Sequence, residues 1–102
     1  MLPLVASRLD ELKALCRRLR VSRLDLFGSA VSGGFDPRSS DLDFLVEFEE
    51  MAPKDFADAY FALKDALETM LGRPADLVTA SSIRNPYFKQ SLDANRENLF
   101  AA

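Results

Sequence analysis

The residues best suited to chemistry are three aspartates, two of which are close in sequence. One residue separates Asp41 from Asp43, so on a β-strand both side chains project to the same face. Adjacent carboxylates repel each other, and an all-oxygen pair suits a hard cation such as Mg²⁺ or Mn²⁺. Asp76 begins a later apolar run and is a candidate third ligand, although the sequence alone does not place it beside the pair. Three carboxylates that hold two metal ions are typical of phosphoryl or nucleotidyl transfer.

A glycine-serine pair upstream of the aspartates is a candidate phosphate-binding turn. Gly28 and Ser29 follow a short apolar segment, where backbone N–H groups and the serine hydroxyl could converge on phosphate oxygens. Gly33 and Gly34 would let the backbone approach a ligand closely. A Gly-Ser pair alone more often marks a simple turn, so its weight comes from the Asp-x-Asp pattern that follows it.

The elements that must position these residues alternate between helices and short strands. Apolar residues at helical spacing predict an amphipathic helix from Val5 to Leu19 and a longer helix from Pro53 that ends at Gly72. Asn85 and Pro86 are typical of the start of a last helix, which we expect to continue to about Leu92. Strands are predicted at residues 22–27, 41–48, 76–79 and 97–100, with one helical turn after Ser29. This order predicts an α/β (α+β) fold, in which helices flank a small mixed sheet and leave its acidic face open.

Composition limits the classes of function. A chain of 102 residues that is 48% apolar fits a single domain over residues 1–102. Its net charge of −3 argues against bulk nucleic-acid binding. Without histidine, chemistry must run on carboxylates, hydroxyls and backbone amides, and Cys16 lies on the apolar stripe of the first helix, which predicts a buried core residue. Charged residues interrupt every apolar run, so we expect no signal peptide, no membrane span and a cytoplasmic location.

The run LFGSAVSGGFDPRSSDLDFLVEF resembles the signature of the DNA polymerase β-like nucleotidyltransferase superfamily. It is most similar to the minimal nucleotidyltransferases that are paired with HEPN-domain toxins, and the similarity extends over nearly the full chain, including RPADLVTASSIRNPYF. The resemblance implies a polymerase β-like palm in which Gly28 and Ser29 grip the triphosphate of ATP. It makes Asp41 and Asp43 ligands of both Mg²⁺ ions and Asp76 the ligand on the acceptor side, where it also helps to deprotonate the acceptor. It further implies an antitoxin that transfers AMP from ATP to a tyrosine of its HEPN partner.

Two departures from the family pattern affect the phosphate side of the predicted site. Many relatives carry an arginine where this chain has Ser32, and eleven residues separate Ser29 from Asp41, one more than the usual spacing. Both departures bear on nucleotide affinity and rate more than on the class of reaction. The candidate substitutes for the missing charge are Arg38, Arg84 and Lys89.

Two other functions stay open at this point. The chain could be a binding module that neutralises its toxin by contact alone, or a nucleotidyltransferase that acts on an antibiotic hydroxyl or an RNA end. The acidic charge and the small size disfavour the second alternative. The stripe of Phe56, Tyr60, Leu63 and Leu67 is interpreted as core, or in part as a partner-binding surface. Glu47 shares the face of the Asp-x-Asp pair but is interpreted as a solvated edge residue.

Overall fold

A computed structural model describes residues 1–34, 36, 40–79, 85–87, 90 and 95–102 of the chain, with the backbone alone at Ser32. Its helices are α1 (Pro3–Ala6), α2 (Leu9–Arg18), α3 (Ser29–Ser32) and α4 (Pro53–Leu71), and its strands are β1 (Val21–Phe27), β2 (Leu42–Phe48), β3 (Ala75–Thr79) and β4 (Glu97–Ala101). Across these described ranges, no helix combines the length and apolar character that crossing a membrane requires.

The four strands form one mixed sheet in the order β3-β2-β1-β4. β1 pairs antiparallel with both β2 and β4, whereas β2 and β3 are parallel. Parallel neighbours cannot be joined by a tight turn, and α4 supplies the crossover between them. The predicted fold class, a small mixed sheet flanked by helices, is therefore confirmed.

Helices α2 and α4 cover one face of the sheet, and the main core lies beneath them. Alternate residues of β2, namely Leu42, Phe44 and Val46, point into this core and are fully buried. α4 contributes Leu63 and Leu67, so the predicted apolar stripe of this helix is in part core. Each such side chain contributes roughly 1.5–3 kcal/mol of transfer free energy, which makes this covered face the main source of stability.

The long helix follows its sequence signals closely. Pro53 occupies the first turn of α4, where its missing N–H has no intrahelical role. Gly72 ends the helix in the left-handed conformation with φ +67°, and its N–H donates to the Glu68 carbonyl over 2.9 Å. The defined end of α4 therefore fixes where β3 begins.

The predicted amino-terminal helix is wrong in one respect, because it is two helices rather than one. The chain leaves helical geometry at Arg8, with φ −117° and ψ 13°, between α1 and α2. The Ser7 hydroxyl donates to the Leu4 carbonyl over 3.1 Å, a local bond that competes with helix continuation. Val5 and Leu12 still reach the same core, so the apolar period continues across the break.

The other face of the sheet, which we call the open face, carries Asp43 and Asp76 and is less open than predicted. Phe27 and Leu45 form a small second cluster on it, and both are buried. Asp25 lies beside them and is also fully buried. The middle of the expected acidic face is therefore closed, and its polar residues are accessible only at the two ends, near Asp43 and near Glu47.

Two further predictions concern the turn after β1 and the carboxyl-terminal segment. The helical turn predicted after Ser29 is α3, and the predicted last strand is β4. The predicted helix from Asn85 to about Leu92 falls mostly outside the described residues, although Pro86, Tyr87 and Gln90 are helical.

Candidate active site

Strand register brings the predicted carboxylates to one end of the sheet. In the parallel pair of β2 and β3, Asp43 lies directly opposite Asp76, and in the antiparallel pair with β1 it lies opposite Phe27. Asp41 precedes the first residue of β2 and is exposed, as is Asp76, whereas Asp43 is half-buried. The parallel pairing therefore places Asp76 beside the Asp-x-Asp motif, which the sequence alone could not do.

The turn after β1 packs directly against the Asp43 carboxylate. Gly28 has φ +73°, which L side chains rarely adopt, and a Cβ atom added there would lie 2.5 Å from Asp43 Oδ2. No other residue fits this backbone conformation and this close approach. The glycine of the predicted phosphate grip and the central carboxylate are thus parts of one site.

Ser29 is the first residue of α3, immediately after Gly28. The carbonyl of Gly28 accepts the Val31 N–H over 3.1 Å, and that of Ser29 accepts the Gly33 N–H over 3.2 Å. The first amides of such a turn have no acceptor within the helix, which makes them available to an anion. Arg38, Arg84 and Lys89, the candidate replacement cations, lie outside the described residues.

The electrostatics of this end of the sheet are unfavourable in the absence of a cation. The pKa of Asp43 is raised from 3.8 to about 6, first by burial and then by the charge of Asp76, a hydrogen bond between the Asp43 and Asp76 side chains, and the charge of Asp41. Three carboxyl groups therefore influence one another here, as the sequence analysis expected of a metal-binding pair.

The donor set fits a hard divalent cation such as magnesium, because it consists of carboxylate oxygens. Among the described side chains, however, no three acidic, cysteine or histidine groups are already drawn together into a metal cluster. The side chains of Asp43 and Asp76 share a hydrogen bond, whereas Asp41 acts on Asp43 through its charge, so a metal site with three ligands requires these carboxylates to come closer together. Such a site can polarise a hydroxyl and neutralise a triphosphate.

The open face also holds a charged cluster that sequence reasoning missed. Asp25 of β1 is fully buried and accepts hydrogen bonds from Asn98 Nδ2 over 2.8 Å, from Arg23 Nε over 3.3 Å and from Arg96 Nε. The available signal was an aspartate in the middle of an apolar strand segment, a position that is rarely charged without a partner. Arg23 lies two residues before Asp25 on the same strand, whereas Asn98 reaches it through the pairing of β1 with β4, which the sequence does not reveal.

Comparison with protein families gives a match over most of the chain. The model of the nucleotidyltransferase domain matches residues 10–97. A relative from Methanocaldococcus jannaschii, provisionally named a protein adenylyltransferase, is 40% identical over 81 residues, 79% of each chain. The protein adenylyltransferase MntA of Thermococcus cleftensis is 36% identical over 80 residues, 78% of this chain and 77% of the relative.

Solved structures agree with this result. A protein provisionally identified as a minimal nucleotidyltransferase is 33% identical, with a TM-score of 0.66 over 95% of this chain and 92% of that chain. A chain from a Shewanella oneidensis complex of a tri-AMPylated HEPN toxin with its MNT antitoxin has a TM-score of 0.64. It is 20% identical and covers 95% of this chain and 72% of that chain, so it supports the shared fold alone.

Proposed function

Since the chain belongs to the nucleotidyltransferase domain family, we propose that it is a protein adenylyltransferase that transfers AMP from ATP to a tyrosine of a HEPN-domain toxin. The transfer neutralises the toxin, so the chain acts as an antitoxin. The observation that carries this proposal is the contact between the Gly28 turn and Asp43, with Asp76 opposite Asp43 in the sheet. We also propose that the protein is cytoplasmic, where ATP is available.

The positions of Gly28, Asp43 and Asp76 support the roles that we propose. The backbone at Gly28 and the hydroxyl of Ser29 hold the triphosphate of ATP beside the carboxylates. Asp41 and Asp43 hold Mg²⁺, and Asp76 completes the ligand set on the acceptor side. Bound magnesium would lower the negative charge of the triphosphate and favour ionisation of the acceptor hydroxyl.

The proposed reaction is a single displacement at phosphorus. The tyrosine oxygen forms a bond to the α-phosphorus of ATP, and the bond from that phosphorus to the bridging oxygen of the β-phosphate breaks. Pyrophosphate leaves with the bonding electrons. Asp76 is the proposed acceptor of the phenol proton, because it is exposed at the edge of the sheet and lies beside Asp43.

Labelling with ATP tests the reaction and the site together. Purified chain, Mg²⁺ and a HEPN-domain toxin are incubated with ATP labelled at either the α- or the γ-phosphate. We expect label on the toxin from α-labelled ATP only, and a mass increase of one or more AMP units on a tyrosine. Label from γ-labelled ATP would instead indicate phosphorylation.

The matched variants are Asp41→Ala, Asp43→Ala and Asp65→Ala, since Asp65 is an exposed carboxylate on α4, on the other side of the sheet from Asp43. We expect the first two to lose labelling and the third to keep it. Toxin neutralisation in cells should be lost with labelling. If Asp43→Ala still protects cells, the chain acts by contact and the enzymatic proposal fails.

A further inference from the structure

A concave surface lies between the amino-terminal half of α4 and the outer edge of β3, and we call it the aromatic groove. It consists of two adjoining depressions of about 410 and 520 Å³ that share Phe56 and Thr79. The residues that line the first depression are Phe56, Ala57, Tyr60, Phe61, Leu77, Val78 and Thr79. The second continues around the end of β2. β3 is an edge strand of the sheet, so the groove follows a border of the molecule.

Aromatic rings give the groove a fixed apolar surface. Phe61 is 63% exposed and Phe56 36% exposed, a large apolar area for the surface of a small protein. Their rings are held by neighbours, because Phe56 packs edge-on against Phe48 at 5.3 Å and Tyr60 packs edge-on against Phe61 at 5.2 Å between ring centroids. A surface that is already ordered loses little conformational entropy when it binds an apolar side chain.

Tyr60 also limits how a partner can bind at the edge of the sheet. Its hydroxyl donates to the Leu77 carbonyl over 2.6 Å, so this group of β3 is already paired by a side chain. Edge strands are commonly protected from added strands by such devices. The groove therefore favours insertion of a side chain over the addition of a whole strand.

Carboxylates border the second depression. Glu47, Glu49 and Glu50 line it together with Met51. Arg20 pairs with Glu49 at 3.3 Å, and within the described residues neither Glu47 nor Glu50 forms a salt bridge. The border is therefore net negative and is complementary to a basic segment.

The groove and the proposed active site share the edge strand β3, but they use different faces of it. Asp76 lies on the open face, whereas Leu77 and Thr79 lie on the face next to α4, so a polypeptide that contacts both must pass around this edge. Asp76 and Thr79 are three residues apart on this strand, which at roughly 3.3 Å per residue corresponds to about 10 Å. A polypeptide whose tyrosine lies at Asp76 can thus reach the groove with residues near that tyrosine. A small-molecule acceptor would not extend so far.

We infer that the aromatic groove binds the protein acceptor of the transfer, through a basic segment that inserts a large apolar side chain between Phe56 and Phe61. This inference rests on the proposed function, because it assigns the acceptor-binding surface of that site. The groove would then select a protein acceptor by contacts outside the reacting tyrosine, which only a polypeptide can make.

Steady-state transfer to the HEPN-domain toxin tests the inference. Phe61→Ala removes an exposed ring, and we expect it to raise KM for the toxin about tenfold or more while KM for ATP and kcat stay near wild type. Tyr87→Ala is the matched control, since Tyr87 is 81% exposed and does not line the groove. Equal effects of the two variants, or an unchanged KM in Phe61→Ala, would overturn the inference.

The charge of the border is tested separately. Glu50→Lys should raise KM for the toxin, and the effect should shrink as salt is increased. Asp65→Lys makes the same charge change on an exposed position of α4 outside the groove, and it should leave KM unchanged. If both reversals act equally, the protein's net charge and not the groove attracts the toxin, and the inference fails.

Direct binding separates this inference from the proposed function. Calorimetric titration of the toxin into the chain, with EDTA and without ATP, needs no catalysis. If wild type binds but transfers no AMP, and Phe61→Ala weakens binding at least about tenfold, the groove is supported and the reaction is not. If sedimentation shows a wild-type dimer that Phe61→Ala dissociates while toxin affinity is unchanged, a second copy of the chain occupies the groove and the inference is overturned.

Discussion

Two aspartates on the same face of neighbouring strands have opposite surroundings. Asp25 of β1 is fully buried, and Arg23, Arg96 and Asn98 all donate to its carboxylate. Asp43 of β2 is half-buried, and its pKa is raised first by this burial and then by the neighbouring carboxyls of Asp76 and Asp41. The protein therefore neutralises Asp25 with its own cations, whereas Asp43 remains beside like charges.

We propose that this difference separates a structural carboxylate, Asp25, from a functional one, Asp43. A buried charge whose partners come from the same chain needs nothing further, and it fixes the strands that supply those partners. Carboxylates that lie close together repel one another until a cation or a proton binds. The folded protein therefore favours the binding of such a ligand at this cluster. We therefore expect changes at Asp43 to alter activity, and changes at Asp25 to alter stability.

The largest expected effect is on the transfer rate of Asp43→Ala. If Asp43 is the metal ligand that we propose, its loss should remove several kcal/mol of transition-state stabilisation, which corresponds to roughly a thousandfold decrease in kcat/KM. The free energy of unfolding should not fall by more than about 1 kcal/mol, because the lost group has unfavourable neighbours. Rates are measured with α-labelled ATP, and stability by urea denaturation. A large loss of stability with intact activity would reverse the roles that we assign.

The next largest effect is expected at Gly28, where the two halves of the site touch. Gly28→Ala places a methyl group 2.5 Å from Asp43 Oδ2 at φ +73°, so the turn or the carboxylate must move. A displaced donor set typically costs a hundredfold or so in rate. Gly72→Ala is the control, because its φ of +67° imposes a similar backbone strain but a Cβ there meets no atom within 4 Å. Wild-type transfer by Gly28→Ala would show that the contact with Asp43 is unimportant for the reaction.

Asp25→Ala should destabilise the protein without a specific effect on the reaction. It leaves Arg23 and Arg96 without their shared carboxylate, but their side chains are 44% and 21% exposed and can reach water. We therefore expect a loss of about 1–3 kcal/mol rather than the larger value for a fully buried partner. Thermal and urea unfolding measure the stability. The kcat of the variant is compared with that of wild type at a temperature well below the midpoint of thermal unfolding. If the variant remained folded but its kcat fell sharply, Asp25 would belong to the active site.

Much of this comparison could not be predicted from the sequence. Periodicity located α4 and the strands, and the Asp-x-Asp spacing on one face of β2 was sufficient to nominate Asp41 and Asp43. The pairing of Asp43 with Asp76 depends on the register of two parallel strands joined by α4, and no local pattern encodes that register. Two partners of Asp25, Arg96 and Asn98, are 71 and 73 positions away in the sequence, whereas the third, Arg23, is two residues away on β1.

The break between α1 and α2 was missed for a different reason. The apolar residues Val5 and Leu12 lie on one continuous helical stripe, and both are buried in the same core. The hydrophobic period shows which residues face the core. It does not reveal a short break in a helix when the residues on both sides of the break still face the same core. The interruption is set by backbone geometry at Arg8 and by the Ser7 hydroxyl, whose signal in the sequence is weak.

The smallest expected effect is a change in the pH dependence of stability in Asp43→Asn. This change tests whether the carboxylate of Asp43 lacks a compensating positive charge. The pKa of Asp43 is raised from 3.8 to about 6, so the folded, metal-free protein holds this proton more tightly than the unfolded chain does. The contribution of Asp43 to stability is then fully present below pH of about 4, and it is lost as pH rises to about 6. Asp43→Asn cannot ionise, so its free energy of unfolding should increase relative to wild type across this window. Water around the half-buried side chain reduces the size of the gain.

Urea denaturation in EDTA at several pH values between about 4 and 7.5 measures this difference. Asp25→Asn and Glu47→Gln are the comparisons, because the first removes a charge that has cationic partners and the second removes an exposed charge on the same strand as Asp43. Neither should gain stability over wild type as pH rises from about 4 to 6. Mg²⁺ added above pH of about 6 should raise the stability of wild type more than that of Asp43→Asn, because the cation takes the place of the proton. Parallel curves for wild type and Asp43→Asn would mean that the carboxylates around Asp43 are already balanced, and the contrast with Asp25 would not hold.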